Sequence, residues 1–255
     1  MSIATAPTVA LPPSSRPPMS RLARIELRKL HDTRSGFWLI VATTLLTLAV
    51  PLIAALTSDP GGQDLPALLT LTLFPMGVFL PIVGILSMTS EWSQRTALQT
   101  FTAVPQRERV IVAKTLAMLV LGVAGFVTGL VFALLTSFVA PELGDASLSL
   151  ADLGQGLLFA ELSVLVGIAF GMLFGSPALA IVVYFVLPTA FSILGELVSA
   201  LQDVREWIDT TLTWAPLSEF TTDGEEWWQA LTGSLVWIVL PAAIGLWLLR
   251  RREVS

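Results

Sequence analysis

The chain has 255 residues, 54% of them hydrophobic and 13% charged, with no cysteine and a single histidine. Soluble domains carry roughly 25% charged residues, so an ordinary soluble globule is excluded, and the lack of cysteine excludes disulfides, Cys-ligated metal centres and thiol nucleophiles. The net charge of −5 is no guide to partners until charges are sorted by side of a membrane, because apolar runs of about 20 residues recur along nearly the whole sequence.

Residues 1–18 are rich in Pro, Ser, Thr and Ala. They lack the apolar core of a signal peptide and read as a disordered cytoplasmic tail, with Met19 a second candidate start. Arg21 to Arg34 predicts a helix in the membrane interface, with Leu22, Ile25, Leu27 and Leu30 on one side and Arg21, Arg24 and Arg28 opposite. A plain basic flank to the first span is the alternative.

Six apolar runs follow, at about 37–57, 66–89, 110–140, 153–174, 178–200 and 230–249. Each predicts an α-helix, since a helix satisfies its own backbone hydrogen bonds in lipid, and none shows the period-two alternation of a β-barrel strand. The fold class is thus all-α integral membrane, with residues 19–255 forming one transmembrane domain. The third run exceeds what a bilayer needs and should tilt or project beyond it.

Thirteen of the fourteen basic residues precede span one, lie between spans two and three, or follow span six; only Arg205 stands elsewhere. The positive-inside rule therefore places both termini and the second loop in the cytoplasm. The acidic residues concentrate on the opposite side, so the acidic balance says nothing about nucleic acid.

The second loop, Ser90 to Lys114, is the most informative stretch. Span two continues as helix into Glu91 and Trp92. A short amphipathic helix follows with Leu98 and Phe101 on one face, Pro105 stops it, and Arg107, Arg109 and Lys114 anchor span three among the headgroups. Such a helix suits either a lever for a soluble partner or a structural turn.

In span four, Gly167, Gly171 and Gly175 recur every four residues, a spacing that permits close helix approach. Pro75 and Pro81 interrupt span two and Pro188 interrupts span five, each freeing a carbonyl. Such breaks occur along transport paths and as ordinary kinks alike. Glu161 is the one carboxyl well inside a span and is either a functional group or a protonated or hydrogen-bonded one facing Gln155, Ser163 or a polar residue of another helix. Glu196 reads as interfacial. Between spans five and six, Leu201, Val204, Ile208 and Leu212 repeat at helical spacing, and Trp214, Trp227 and Trp228 read as interface anchors. One or two short helices on or in the outer leaflet are expected there.

Glu91, Thr96, Pro105, Arg107 and Lys114, together with ELRKLHDTRSGFW over Glu26 to Trp38 and RRREV at the C-terminus, resemble the permease subunits of ABC-2-type ATP-binding-cassette transporters. Ala97 and Arg95 depart from the residues most frequent in that family, Leu and Gly. The resemblance covers about residue 19 to the end. It implies a six-span export permease in a bacterial cytoplasmic membrane, working as a dimer with a second copy or paralogue. It further implies an ATPase-coupling loop of Glu91, Trp92, Arg95, Thr96, Leu98, Phe101, Pro105, Arg107 and Lys114. Spans two and five would flank the pathway, making Pro75, Pro81, Glu161 and Pro188 candidate pathway or gating residues, with a re-entrant segment between spans five and six.

No G-x-x-x-x-G-K-[ST] occurs, so ATP and magnesium are expected on a partner ATPase pair and no cofactor or metal on this chain. The single His31, the absence of H-E-x-x-H and of G-x-S-x-G, and the lack of any intramembrane Asp argue against an enzyme. Apolar, proline-broken spans suggest a hydrophobic or amphipathic cargo such as a drug, peptide antibiotic or lipid. A proton-coupled transporter built on Glu161, and a non-transporting scaffold or sensor subunit, are the alternatives.

Overall fold

The computed structural model describes residues 17–59, 62–94, 106–139 and 146–251. Six of its helices are long and apolar enough to cross a membrane. They are α2 (Arg34–Thr57), α3 (Leu65–Ser93), α4 (Arg107–Ser137), α5 (Leu150–Phe174), α6 (Pro177–Leu197) and a composite sixth that begins with α10 (Glu226–Ser234) and ends with α11 (Leu240–Arg251). A π-helical turn, Leu235–Val239, joins the two halves of the sixth. Ahead of them lies α1 (Met19–Asp32), and α7 (Gln202–Ile208), α8 (Thr210–Thr213) and α9 (Ala215–Glu219) connect the fifth to the sixth. Among the described residues there is no strand.

Local chemistry sets the boundaries. Thr33 separates α1 from α2 and caps the latter, its side chain accepting from the amide of Gly36 at 3.3 Å. Ser149 and Asp152 form a reciprocal capping box at the start of α5. Gly175 ends α5 in the left-handed conformation, φ 64°, and Pro177 opens α6 at its first turn. Gly175 is therefore a helix stop, not the third member of the small-residue stripe that its spacing suggests.

The remaining boundaries shift for equally local reasons. The third span ends at Ser137, and Phe138 and Val139 form a turn. The fifth ends at Leu197 before an extended Val198 and a 3-10 turn over Ser199–Leu201. The sixth starts earlier than its apolar run, at Glu226.

The centre of the bundle is the α3–α5 pair. Gly167 and Gly171 lie against α3 so closely that a Cβ on Gly167 would collide with the backbone of Pro81, and one on Gly171 would stand 2.8 Å from Met88 Cβ. Gly84 repeats the contact from the α3 side, where a Cβ would come within 2.8 Å of the Val164 carbonyl. Close backbone approach replaces side-chain bulk as the source of packing, as expected where lipid offers no hydrophobic drive between helices. Around this pair Leu68, Leu69, Leu73, Met76, Met118, Val164 and Ile168 are buried. In contrast α6 buries only Ala180 and Gly195 and exposes Val182, Val186 and Leu187. It stands at the edge of the bundle.

Candidate functional site

Two regions hold the chemistry, one at each end of the bundle. At the first, stretches far apart in sequence converge: Glu26 and Lys29 from α1, Glu91 from the last turn of α3, and Lys114 from about two turns into α4. Lys114 Nζ donates to Glu26 Oε2 at 2.9 Å and to the Ser87 carbonyl at 2.8 Å, and lies 2.8 Å from Glu91 Oε1. Lys29 Nζ donates to Glu26 Oε1 at 2.7 Å and to Glu91 Oε1 at 3.1 Å. Ser90 Oγ donates to Glu91 Oε2 at 3.1 Å. Two carboxylates and two ammoniums thus close a ring.

Glu26, Glu91 and Lys114 are 6%, 4% and 3% exposed, whereas the Lys29 side chain is 40% exposed. Charges taken this far out of water persist only when paired and hydrogen-bonded, and each of these has at least two partners. Burial alone would lower the pKa of Lys29, but Glu26 and Glu91 outweigh it and hold the ammonium above its ordinary range. Beside the ring a cleft of about 400 Å³ opens, lined by Lys29, Thr33, Ser87, Ser90 and Ser93 among others.

Lys114, expected among the headgroups, is instead enclosed. The face of α1 expected to meet lipid packs in part on protein: Leu30 is buried, Leu27 and Ala23 pack on the core, and Ile25 is left exposed. Two further contacts gather at this end. Arg109 donates to the Pro17 carbonyl at 2.7 Å, and Arg250 pairs with Glu108 at 2.7 Å, joining the end of α11 to the start of α4.

Of the other coupling-loop residues, Trp92 lies in the last turn of α3 and Arg107 opens α4. Arg95, Thr96, Leu98, Phe101 and Pro105, with the short helix expected there, lie outside the described residues, as do most of the N-terminal tail and the last four residues of the basic terminus.

At the opposite end, α8 and α9 are set into the bundle. Trp214 and Leu217 are 6% and 0% exposed and join a cluster with Val166, Phe170 and Trp237. Thr70 of α3 donates to the Ser218 carbonyl at 2.8 Å, and Gln155 of α5 accepts from the amide of Thr222 at 3.2 Å. Trp214 is thus a core residue, not an interface anchor, while Trp227 and Trp228 remain exposed at 43% and 63%.

Asp209 separates the short helices α7 and α8 inside the apolar repeat of Leu201, Val204, Ile208 and Leu212. Its carboxylate accepts from the amide and hydroxyl of Thr211 and from Arg205 Nε at 3.0 Å. Burial alone would raise its pKa, but hydrogen bonds from Ser192, Thr211 and Arg205 hold it below the usual carboxylate value. Arg205 also pairs with Glu196 at 3.0 Å, tying α7 to the end of α6.

Between this inserted segment and α3, α5 and α6 lies a cleft of about 510 Å³. Its walls include Phe74 and Gly77 of α3, Phe159 and Ser163 of α5, Tyr184, Phe185 and Pro188 of α6, and Trp214, Glu219 and Trp237. Pro81 lacks an N–H, so the Gly77 carbonyl four residues earlier loses its helical donor. Tyr184 supplies a replacement, its hydroxyl donating to that carbonyl at a long 3.4 Å. The break in α3 is thereby tied to α6 across the cleft.

Of the candidate pathway residues, Pro188 lines this cleft; Pro75 and Pro81 are buried inside α3, and Glu161 is not among its walls. Both carboxyl oxygens of Glu161 are buried without a hydrogen-bond partner among the described residues, and they lie against Gly122 of α4, 2.7 and 3.1 Å from where a Cβ there would stand. The two partners expected for it by name are engaged elsewhere, Gln155 with Thr222 and Ser163 with the Phe159 carbonyl at 2.8 Å.

Reading the residues alone missed Glu26 and Lys29 as partners of Glu91 and Lys114. The signal was a carboxylate at position 26 midway between Leu22 and Leu30, on the apolar stripe of α1. No equivalent signal marked Trp214 or Tyr184.

A scan against protein-family models finds no match, and a search of curated proteins finds none.

Proposed function

We propose that this chain is the permease subunit of an ABC-2-type exporter. It would move a hydrophobic or amphipathic molecule, such as a drug, peptide antibiotic or lipid, across a bacterial cytoplasmic membrane. The observation that carries the reading is the ring of Glu26, Lys29, Glu91 and Lys114. Four residues from two of the stretches that resemble the family, the outermost 88 residues apart, meet there. The basic residues on α1, at the start of α4 and at the end of α11 support a cytoplasmic location for that end.

In this reading the chain does no chemistry and binds no nucleotide. A pair of ATPase subunits, carrying ATP and magnesium, grips residues 95–105, and a second copy or paralogue completes the pathway. Because the ring holds α1, α3 and α4 together, a push on the loop moves them as one body. Transport is alternating access, driven by unequal binding of the ATPase's two states to the two permease conformations. The edge position of α6, linked to α3 through Tyr184, supports it as the element against which that body moves.

Affinity purification of the tagged chain from its native host in mild detergent tests the reading. A stoichiometric partner with G-x-x-x-x-G-K-[ST] is expected, with Arg107→Ala lowering its substrate-stimulated ATP hydrolysis. A preparation free of any ATPase that still moves solute down an imposed pH gradient overturns it in favour of the proton-coupled alternative at Glu161.

A further inference from the structure

The cleft between α3, α5, α6 and the inserted segment has an unusual donor balance. Most of its hydroxyls donate to backbone carbonyls, Thr70 to Ser218, Ser163 to Phe159, Tyr184 to Gly77, Thr189 to Phe185 and Ser218 to Ala215, while Thr211 donates to the Asp209 carboxylate. The Trp237 indole donates to the Ile208 carbonyl at 2.6 Å. What these groups leave facing a guest is oxygen lone pairs and aromatic faces. Among the described residues no lysine or arginine stands in the walls, and the one carboxylate there, Glu219, is exposed. The connecting segments at the same end, 58–59, 62–64 and 198–225, hold eight acidic residues against the single Arg205.

Aromatic faces attract cations through their quadrupoles, most strongly when water is excluded. An anion in this cleft would meet lone pairs and a carboxylate with no basic partner. A neutral apolar guest would gain only burial. We propose that the cleft binds the transported molecule, and that this molecule is a lipophilic cation with a flat apolar body. The inference rests on the permease reading for its meaning as substrate recognition.

The test uses the full-length chain alone in lipid nanodiscs, without any ATPase, and follows binding by fluorescence anisotropy. Rhodamine 6G serves as the cationic probe and 8-anilinonaphthalene-1-sulfonate as an anion of similar size. Saturable rhodamine binding at least about tenfold tighter than the anion's is expected, weakened about fivefold by Phe185→Ala and by Glu219→Gln. Val186→Ala, on the exposed side of α6, leaves it unchanged. Equal affinity for the two probes, or cation binding indifferent to both cleft substitutions, overturns the proposal. The two readings fail separately. Cation-selective binding by a chain that captures no ATPase sustains this inference and overturns ATP coupling, whereas an ATPase complex without cation preference does the reverse.

Discussion

Replacing Lys114 by methionine removes the ammonium at the most enclosed corner of the charge ring. Its Nζ serves Glu26, Glu91 and the Ser87 carbonyl, all within 2.9 Å. Removing one partner from a buried ion pair costs about 3–5 kcal/mol, because the remaining charge is left without compensation. Lys29 recovers little of this, since a corner 40% exposed contributes about 1 kcal/mol or less. At roughly 2–4 °C per kcal/mol for a chain of this size, the Tm should fall by about 6–20 °C. Thermal unfolding in detergent, followed by tryptophan fluorescence, reads the shift. Adding Glu26→Gln and Glu91→Gln to Lys114→Met should recover about 2 kcal/mol, since the one charge then left in the ring is the Lys29 ammonium, whose side chain is 40% exposed. A single variant that melts within about 2 °C of the parent, or a triple variant that loses the sum of its parts, refutes the account of the ring as a coupled buried network.

The other expectations concern separate contacts. Gly167→Ala should cost about 1–3 kcal/mol by forcing α5 off the Pro81 backbone, while Gly154→Ala, in a helix with open space around it, should gain up to about 1 kcal/mol; chemical unfolding compares the two. Tyr184→Phe should lose about 1 kcal/mol, and that loss should vanish in a Pro81→Ala background, where a new amide reclaims the Gly77 carbonyl. Lys29 has its pKa raised by folding, so its contribution is complete below pH 10.5 and is lost as pH rises through the higher folded value; Lys29→Met should flatten the alkaline end of a stability profile. Asp209 is the mirror case. Its folded pKa is depressed, so its contribution is present above pH 3.8 and disappears as pH falls through the lower folded value; Asp209→Asn should remove that acid limb and lower stability at neutral pH.

What could be read from residues alone follows the range of the forces involved. The six long helices were legible because apolar runs are local and additive, and the close face of Gly167 and Gly171 because helical spacing places both on one side. Gly175 was misread because stripe and stop share the same residue type, and only the backbone angle distinguishes them. Glu91 and Lys114 stood out through resemblance. Their pairing with Glu26 and Lys29 depends on how α1 folds back, which no local pattern encodes. Trp214 carries the same composition signal whether it anchors at a lipid interface or fills a core, so its insertion beside Phe170 and Trp237 emerges only from tertiary packing. Asp209 shows the converse: a capping residue inside an apolar repeat interrupts the helix despite the period around it.

The ring also constrains the order in which the molecule is made. Glu26 precedes Lys114 by 88 residues, and at roughly 5–20 residues per second a ribosome needs about 4–18 s to cover that distance. During that interval α1 has no buried partner and must wait at the water-facing surface while α2 and α3 enter the membrane. Once Glu91 emerges, two carboxylates compete for Lys29 until the first turns of α4 deliver the second ammonium. Helix α1 is therefore made before the spans that bury its charges and settles only after them, and α1 docking marks the completion of the first three spans.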